Sequence, residues 1–476
     1  MPNHVNHDAV VIGSGPNGLA AAISLAESGV QVTVYEQNAE IGGACRSAEI
    51  IRPGYINDIG AAVHPLALIS PFFRGLSLEQ YGLNWLIPET AMAHPFDDGT
   101  AVALYKSITE TSATLGEEDS EAYKRLMSTV VVNGQDLIDE ILYLPRVNIH
   151  HPLAMMDFGT KAVQSVKGLS EKWFRGERAK GFMAGLGVHS VMDLRSPGSM
   201  APGLVLAGAA HIAGWPLPRG GSQTIPDSLS KYLYKLGGQI ITKRKIESLE
   251  EIQPYRLVLM DLIPEQIIRI AGKHLPNSYM KKLHEYRYGP GVFKIDWILN
   301  EAIPWTASEC RRSPTVHVGG TLEEIVSAEQ DVIRGKIPEK PFVFLVQPSI
   351  IDPTRTPPEG HVAWAYCHVP NGSPTNMTKR IEDQIERYAP GFREIIADRH
   401  IMSPEDIHKD NPNCVGGDIT AGRQSLRRMV FPDLSYKTPL NNVFLCSAVT
   451  SPGPGVHGIC GVRASHVAMK RLFGNR

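Results

Sequence analysis

Residues 9–36, AVVIGSGPNGLAAAISLAESGVQVTVYE, constrain the fold more than any other part of the chain. An apolar run from Ala9 to Ile12 meets three glycines spaced Gly13-x-Gly15-x-x-Gly18. Leu19, Ala22, Ile23 and Ala26 then recur at i, i+3, i+4 and i+7, the single apolar stripe of a helix that lies on a sheet. Past Gly29, Val32 and Val34 alternate with polar residues as far as Glu36, which is the period of a strand. The segment predicts strand, tight turn, helix, strand.

Each residue type in that order has a task if a dinucleotide binds here. Gly13 permits a sharp exit from the strand, Gly15 lets the backbone approach a pyrophosphate, and Gly18 lets the helix pack closely on the strand. The first-turn N–H groups, with the helix dipole behind them, favour a doubly charged pyrophosphate without a lysine. Glu36 ends the second strand, where a carboxylate accepts both hydroxyls of an unphosphorylated ribose; this argues against NADP. A bare glycine triplet would equally suit a turn with no ligand. Here the flanking strand, the amphipathic helix, the second strand and the terminal acid all agree.

Composition narrows the class further. A chain of 476 residues is long enough for two or three domains. Its 47 Lys and Arg against 49 Asp and Glu leave a net charge of −2, so no basic excess points to nucleic acid. Cys45, Cys310, Cys367, Cys414, Cys446 and Cys460 are far apart and form no CxxC pair, which leaves zinc and dithiol sites unsupported. A reduced, cytoplasmic setting is expected. The start, MPNHVNHDAVV, lacks the basic and apolar regions of a signal peptide. The weakly polar run Met200 to Trp215 is interrupted by Pro202 and His211, too short to span a bilayer.

The organisation reads as discontinuous. Residues 1–75, 205–262 and 435–476 are expected to form the nucleotide-binding unit, with a mainly helical insert at 76–204 and a sheet-based substrate domain at 263–434. From Glu117 the pattern is helical, with Leu126, Val130 and Val131 on one side. A later helix carries Leu229, Leu233 and Leu236, stops at Gly237-Gly238 and leads into a strand reaching Ile246. Phe293, Ile295 and Trp297 alternate with Lys294 and Asp296, and PFVFLVQPS and HVAWAYCHV read as further strands. Met377, Ile381, Ile385 and Tyr388 share one face of a helix over 376–388 that stops at Pro390-Gly391.

After Glu36 comes QNAEIGGACRS, and Gly42-Gly43 followed by Arg46 and Ser47 resembles the second glycine pair of the FAD-binding fold of amine oxidases and phytoene desaturases. With NDIGAAVHPLALISPFFR, GWPLPRGGSQTIPDSL, NPNCVGGDITAG and PGPGVHGICG, matching stretches run from Val10 to Gly461. Together they resemble the phytoene-desaturase-related FAD-dependent oxidoreductases of the amine oxidase-like superfamily, closer to the broad phytoene-dehydrogenase-related branch than to carotenoid desaturases proper. The resemblance implies an α/β fold: a Rossmann-like FAD-binding domain of the glutathione-reductase and amine-oxidase type with a discontinuous α+β substrate domain. It assigns Gly13, Gly15, Pro16, Asn17 and Gly18 to the pyrophosphate, and Glu36, Gln37 and the backbone at Ile246 to the adenosine. It also gives Gly43, Ala44, Arg46, Ala62, Val63, Ser447, Gly455, Val456 and His457 to the cofactor, with noncovalent binding the default and attachment through a cysteine the alternative. Cys446-Ser447-Ala448 departs from the family, where a glycine followed by a small or acidic residue often touches the ribityl chain.

No nucleophile elbow, HExxH, Walker loop or second glycine-triplet βαβ unit for a nicotinamide is present. A flavin accepts hydride at N5, so the protein must hold a C–H or N–H bond near the ring and exclude water. Dioxygen or a quinone would then reoxidise the flavin. His457 and His64 fall in the flavin-facing motifs and are the polar catalytic candidates, against a plainer reading as packing or hydrogen-bonding residues. His150-His151 suits capping better than a metal, since adjacent residues do not readily ligate one ion. Trp215 and Arg219 read as packing and turn support. The expected substrate is a small apolar molecule, isoprenoid or secondary-metabolite in class. Oxidation of a C–N bond in an amine is the alternative, and a lipid-binding escort without a cofactor is the non-enzymatic one. Residues 143–156 could form an interfacial patch at a membrane surface or an ordinary core or lid segment.

Overall fold

The computed structural model describes residues 7–143 and 149–473. The first six residues and 144–148 of the patch named above lie outside the described residues.

The glycine-triplet segment forms β1 (His7–Ile12), α1 (Pro16–Glu27) and β2 (Val32–Tyr35). β1 lies between β2 and the strand Tyr255–Met260, parallel to both, with Ala9 opposite Val32 and Leu257. Gln239–Ile241 extends the sheet beyond β2, and Val443–Leu445 extends it beyond Tyr255–Met260. Parallel strands need covering on both faces, which explains the unbroken apolar run of β1. α1 covers one face and packs against the C-terminal helix Ile459–Phe473. That contact is backbone to backbone: a Cβ on Gly461 would sit 2.0 Å from the Asn17 carbonyl oxygen. The two ends of the chain are thereby packed into one layer.

The other face is covered by Pro264–Ala271 and Asn277–His284, two helices expected in the substrate domain. Ile267, Ile270 and Ala271 share a core with Val10, Met260 and Leu445, so the nucleotide-binding unit continues past residue 262. The strand expected to reach Ile246 ends at Ile241. Lys243 then turns at φ 55°, and Lys243 and Arg244 donate their N–H groups to Asn38 and Glu36 carbonyls instead of extending the sheet.

The second sheet has seven strands, in the order 396–402, 291–299, 361–369, 343–346, 315–318, 90–95 and 101–105. Its last two strands come from the stretch expected to be mainly helical. An Asp98-Gly99 turn with Gly99 at φ 80° joins them, a hairpin signal between two apolar runs. From Ile108 onward the described residues of the insert are mainly helical, in six α-helices from Ile108–Thr114 to Ala201–Ala213, and the last runs across the expected boundary at 204. Leu126 and Val130 are buried, but Val131, one residue on and so about 100° around the helix, is exposed.

Phe293, Ile295 and Trp297 face the helix Thr378–Tyr388. Lys294 and Asp296, on the opposite face of the same strand, are also buried, on the side where Asp58 neighbours Asp296. Their alternation with apolar residues marks two covered faces, one of them polar.

Candidate functional site

The carboxyl ends of four of the five parallel strands open on a crevice. Open α/β sheets bind ligands at the carboxyl ends of their strands. Gly13, Gly15, Glu36 and Gln37 line it from β1 and β2, Gly43 and Arg46 from the second glycine pair, and Ile246 from the loop after Gln239–Ile241.

Gly13 has φ +101°, a conformation costly for any side chain. A Cβ on Gly18 would lie 2.1 Å from the Gly13 carbonyl oxygen, and one on Gly15 would lie 2.7 Å from Oδ2 of Asp261. The second glycine pair seats on the first loop: a Cβ on Gly43 would reach within 3.2 Å of the Gly15 Cα. α1 starts without a side-chain cap, Pro16 occupies its first position, and the buried Asn17 Oδ1 has no partner among the described residues. A cradle closed to side chains, an uncapped helix start and an orphaned amide oxygen fit a dinucleotide pyrophosphate.

Glu36 is buried and held from both sides. Its Oε2 accepts from the Ser14 N–H at 3.0 Å and the Ser14 hydroxyl at 2.7 Å, and its Oε1 accepts from the Asn38 N–H at 2.9 Å. A carboxylate offers about four acceptor positions, so capacity remains at Oε1 for a ribose hydroxyl. Ser14 was not recognised from the sequence, where it is simply one of the variable positions between the glycines. Arg46 donates through Nε to the Gly43 carbonyl at 2.8 Å and pairs with Asp410, so it steadies the turn. Arg244, Lys245 and Arg269 also line the crevice.

Beyond the crevice, Ala61 donates its N–H to the Ala44 carbonyl at 3.0 Å, and Ile59 donates to Arg46 at 2.8 Å. This carries Ala62 and Val63 from the glycine pair to the second sheet, where they join the core that contains Trp215, Phe344 and Trp364. Trp215 is buried, with its indole N–H donated to the Leu206 carbonyl, while the Arg219 N–H is donated to Asn84. The Ser447 hydroxyl is donated to the Leu262 carbonyl at 2.7 Å, beside the crevice. Gly455 is exposed and Val456 half-buried on the loop that follows.

The two candidate histidines lie along this path. His64 Nε2 is 2.9 Å from the Ser222 hydroxyl, which donates to the Ala61 carbonyl, so the ring N–H sits on Nε2 and the buried Nδ1 has no partner among the described residues. His457 Nδ1 accepts from the Ile459 N–H at 3.0 Å, and its Nε2 faces the Gly453 carbonyl at 3.2 Å. Burial lowers both pKa values to about 4, so both rings are neutral at ordinary pH. The backbone N–H groups of His150 and His151 are both donated to Glu140, and His151 stands at the start of Pro152–Ala162 without a side-chain cap bond. Among the described residues no cluster of three His, Cys, Asp or Glu could hold a metal.

Aromatic and histidine side chains that the sequence did not bring together cover the inner face of the second sheet. Phe344 stacks on Tyr366 at 5.2 Å and Trp364 on Tyr366 at 6.1 Å, while His189 lies 3.2 Å from His317, nitrogen to nitrogen. His189 and Tyr366 are only half-buried, yet burial drives His189 to about 4 and raises the Tyr366 pKa. These two side chains belong to the aromatic face. Its acidic neighbours are engaged: Asp296 is paired with Lys294, which lies 5.0 Å over the Trp364 ring, and Glu329 with His368 at 2.8 Å. Alternation along each strand signals such a face, but only strand order shows which rings meet.

The NAD(P)-binding Rossmann-like domain family matches residues 11–74. Over 98% of its length the chain is 25% identical to pyridine nucleotide-disulfide oxidoreductase domain-containing protein 2 of Rattus norvegicus, covering 94% of that protein. It is 22% identical to the neurosporene-forming phytoene desaturase of Rhodobacter capsulatus over 95% of this chain and 92% of that one. Among solved structures, an oxidoreductase from Methanosarcina mazei superposes with a TM-score of 0.65 at 15% identity, covering 96% of this chain and 99% of the other. Putrescine oxidase with putrescine bound superposes at 0.62 and 16% identity over 99% and 100%. The fold is that of the flavin amine oxidases.

Proposed function

We infer that this chain, an FAD-dependent oxidoreductase related to the phytoene desaturases, dehydrogenates an uncharged apolar substrate of isoprenoid or secondary-metabolite class. When bound, FAD supplies a hydride acceptor at N5. The observation that carries this reading is the join between two regions: one continuous segment, Gly43 to His64, runs from the dinucleotide crevice to the aromatic face of the second sheet.

The chain's own residues divide the work. Gly13, Gly15, Asn17 and Gly18 receive the pyrophosphate at the start of α1, and Glu36, oriented by Ser14, takes the adenosine ribose. Gln37 and Ile246 border the adenosine end. Ala62, Val63, Ser447, Gly455 and Val456 belong to the segments that approach the ring end. His64 and His457, both neutral, hold the loops on either side. Phe344, Trp364 and Tyr366 offer flat apolar surface for a conjugated substrate and exclude water from it.

The state of the acids favours an uncharged substrate over an ammonium ion, since Asp296 and Glu329 are already paired. The aromatic stack itself supports amine oxidation as the second reading. The closed glycine cradle weighs against an escort, which needs no pyrophosphate site.

No described helix is long and apolar enough to cross a membrane. An apolar substrate would instead be collected at a surface. Val132, Leu153 and Met156 are 82%, 76% and 63% exposed on the helices of the insert, and Ile149 and Val163 add to the patch.

The test begins with the visible spectrum before and after acid precipitation; yellow protein that releases FAD is expected. Anaerobic bleaching of the flavin is then followed with polyenes and with primary amines. Bleaching by polyenes supports the first reading, and bleaching by amines alone, with peroxide formed once dioxygen is readmitted, replaces it with the second. Reoxidation of the bleached protein by dioxygen or by a quinone identifies the acceptor. A colourless protein that takes up no FAD overturns both.

A further inference from the structure

We propose that Asp261 makes FAD binding proton-linked: its carboxyl occupies the pyrophosphate end of α1 and must be neutral for a diphosphate to settle beside it. The inference rests on the FAD reading above.

Asp261 directly follows the strand Tyr255–Met260, and its main chain is fixed. Its N–H is donated to the Ile12 carbonyl at 2.9 Å, and its own carbonyl accepts from Asn413 Nδ2 at 3.0 Å. The buried side chain points into the glycine loop, where Oδ2 accepts from the Gly18 N–H at 3.0 Å. An added Cβ on Gly15 would nearly touch the same oxygen. The carboxyl therefore stands among the backbone groups that have to receive phosphate.

The surrounding charges do not fix its ionised form. β1 and α1 contribute glycines on this side, and Glu36 at the end of β2 adds a like charge. Cys446 and Cys460, from the strand Val443–Leu445 and the C-terminal helix, are thiols whose pKa burial pushes up, Cys460 to about 11. Pro264–Ala271 brings Gln266 and Arg269, the 411–413 loop brings Asn413, and Arg244 and Lys245 line the far wall. Burial and Glu36 together raise the Asp261 pKa to about 7 against the pull of the Gly18 N–H. Its charge thus changes within the physiological range. An ionised carboxylate repels the diphosphate and a neutral one does not, so FAD affinity is full below about pH 7 and falls above it.

The test is fluorescence titration of FAD into apoprotein from about pH 5.5 to about pH 9. For the wild type, the Kd should rise above neutrality with a slope approaching tenfold per pH unit, as one linked proton requires. Asp261→Asn should flatten the profile and bind about tenfold or more tightly at the alkaline end. ADP should reproduce the slope as a competitor, because it carries the diphosphate, and adenosine should not. Calorimetry of the wild type in two buffers of different ionisation enthalpy should find uptake of close to one proton near pH 8, which keeps the test available if the variant does not fold. FAD binding with a flat profile, no proton uptake, or an Asn variant with the wild-type slope overturns the proposal and leaves the FAD reading intact. Failure to bind FAD at every pH overturns that reading, and this inference with it.

Discussion

The guanidinium of Arg355 reaches the Asp58 carboxylate at 2.9 Å, and neither side chain has any solvent-accessible surface. Arg355 also holds Asp352 at 3.0 Å, while Asp58 accepts from the Ser47 hydroxyl and the Ser222 N–H. One cation thereby joins the segment leading to the proposed ring site, the 220–222 loop and the second sheet. Arg355→Met leaves Asp58 buried and uncompensated and should cost about 3–5 kcal/mol, read from urea unfolding. Burial by itself would raise the Asp58 pKa, but Arg355 and the hydrogen bonds from Ser222 and Ser47 overcome it and hold the group below the carboxylate range. Its stabilisation is therefore present above the unfolded-state value of about 4 and is lost as pH falls through the lowered native value. Acid sensitivity that is unchanged in Asp58→Asn would remove this account.

Gly461 should be the least replaceable residue of the C-terminal helix. An alanine there drives its Cβ into the Asn17 carbonyl oxygen and the Ala21 N–H, both of them backbone atoms of α1. Separating the helices should cost about 1–3 kcal/mol. The thermal midpoint of Gly461→Ala should fall even in apoprotein, whereas a change confined to FAD affinity would mean that the helix contact is not structural.

Glu36→Gln keeps the side-chain volume but exchanges a carboxylate oxygen for an amide that cannot accept. Either Ser14 or the ribose loses a charge-assisted bond worth about 1.5–3 kcal/mol. FAD affinity should fall about tenfold or more in the titration described above, while the far-ultraviolet circular dichroism stays unchanged. Wild-type affinity in this variant would take the ribose away from Glu36.

What could be read from the sequence follows the range of each physical signal. The turn between β1 and α1 is specified by adjacent residues, so Gly13, Gly15, Gly18 and Glu36 could be placed without a structure. Asp261 could not, because it reaches Gly18 from 243 positions away, and an acid after an apolar strand has no distinctive spacing. The hairpin at Asp98-Gly99 did carry a local signal, which the helical pattern after Glu117 obscured. Lys294 and Asp296 look like a wet face in sequence, and only tertiary packing, which brings Asp58 beside Asp296, makes that face an interior one. The stacking of Phe344, Trp364 and Tyr366 depends on strand order, which periodicity does not encode.

His457 should contribute no inflection to the pH dependence of flavin reduction between about pH 5 and about pH 9. Burial holds its pKa near 4, and the ring is fixed between Ile459 and Gly453. His457→Ala releases the loop at the start of the C-terminal helix and should slow reduction about tenfold, or about 1.4 kcal/mol, at every pH, with a shifted flavin spectrum. An unchanged spectrum and rate would end any role for His457 near the flavin.

Leu153 and Met156 stand on the helix Pro152–Ala162 with most of their side-chain surface in solvent. Apolar side chains that leave water on entering a bilayer gain roughly 25 cal/mol for each Å² removed, so a few of them suffice for reversible docking. Their exposure means that glutamate at both positions should change folding stability by no more than about 0.5 kcal/mol. Co-sedimentation with neutral phosphatidylcholine vesicles should nevertheless drop about fivefold or more. Neutral lipid isolates the apolar contribution, because electrostatic attraction to anionic headgroups is then absent. If the wild-type protein sediments with vesicles no better than the double variant, the patch does not dock, and substrate must arrive by another route.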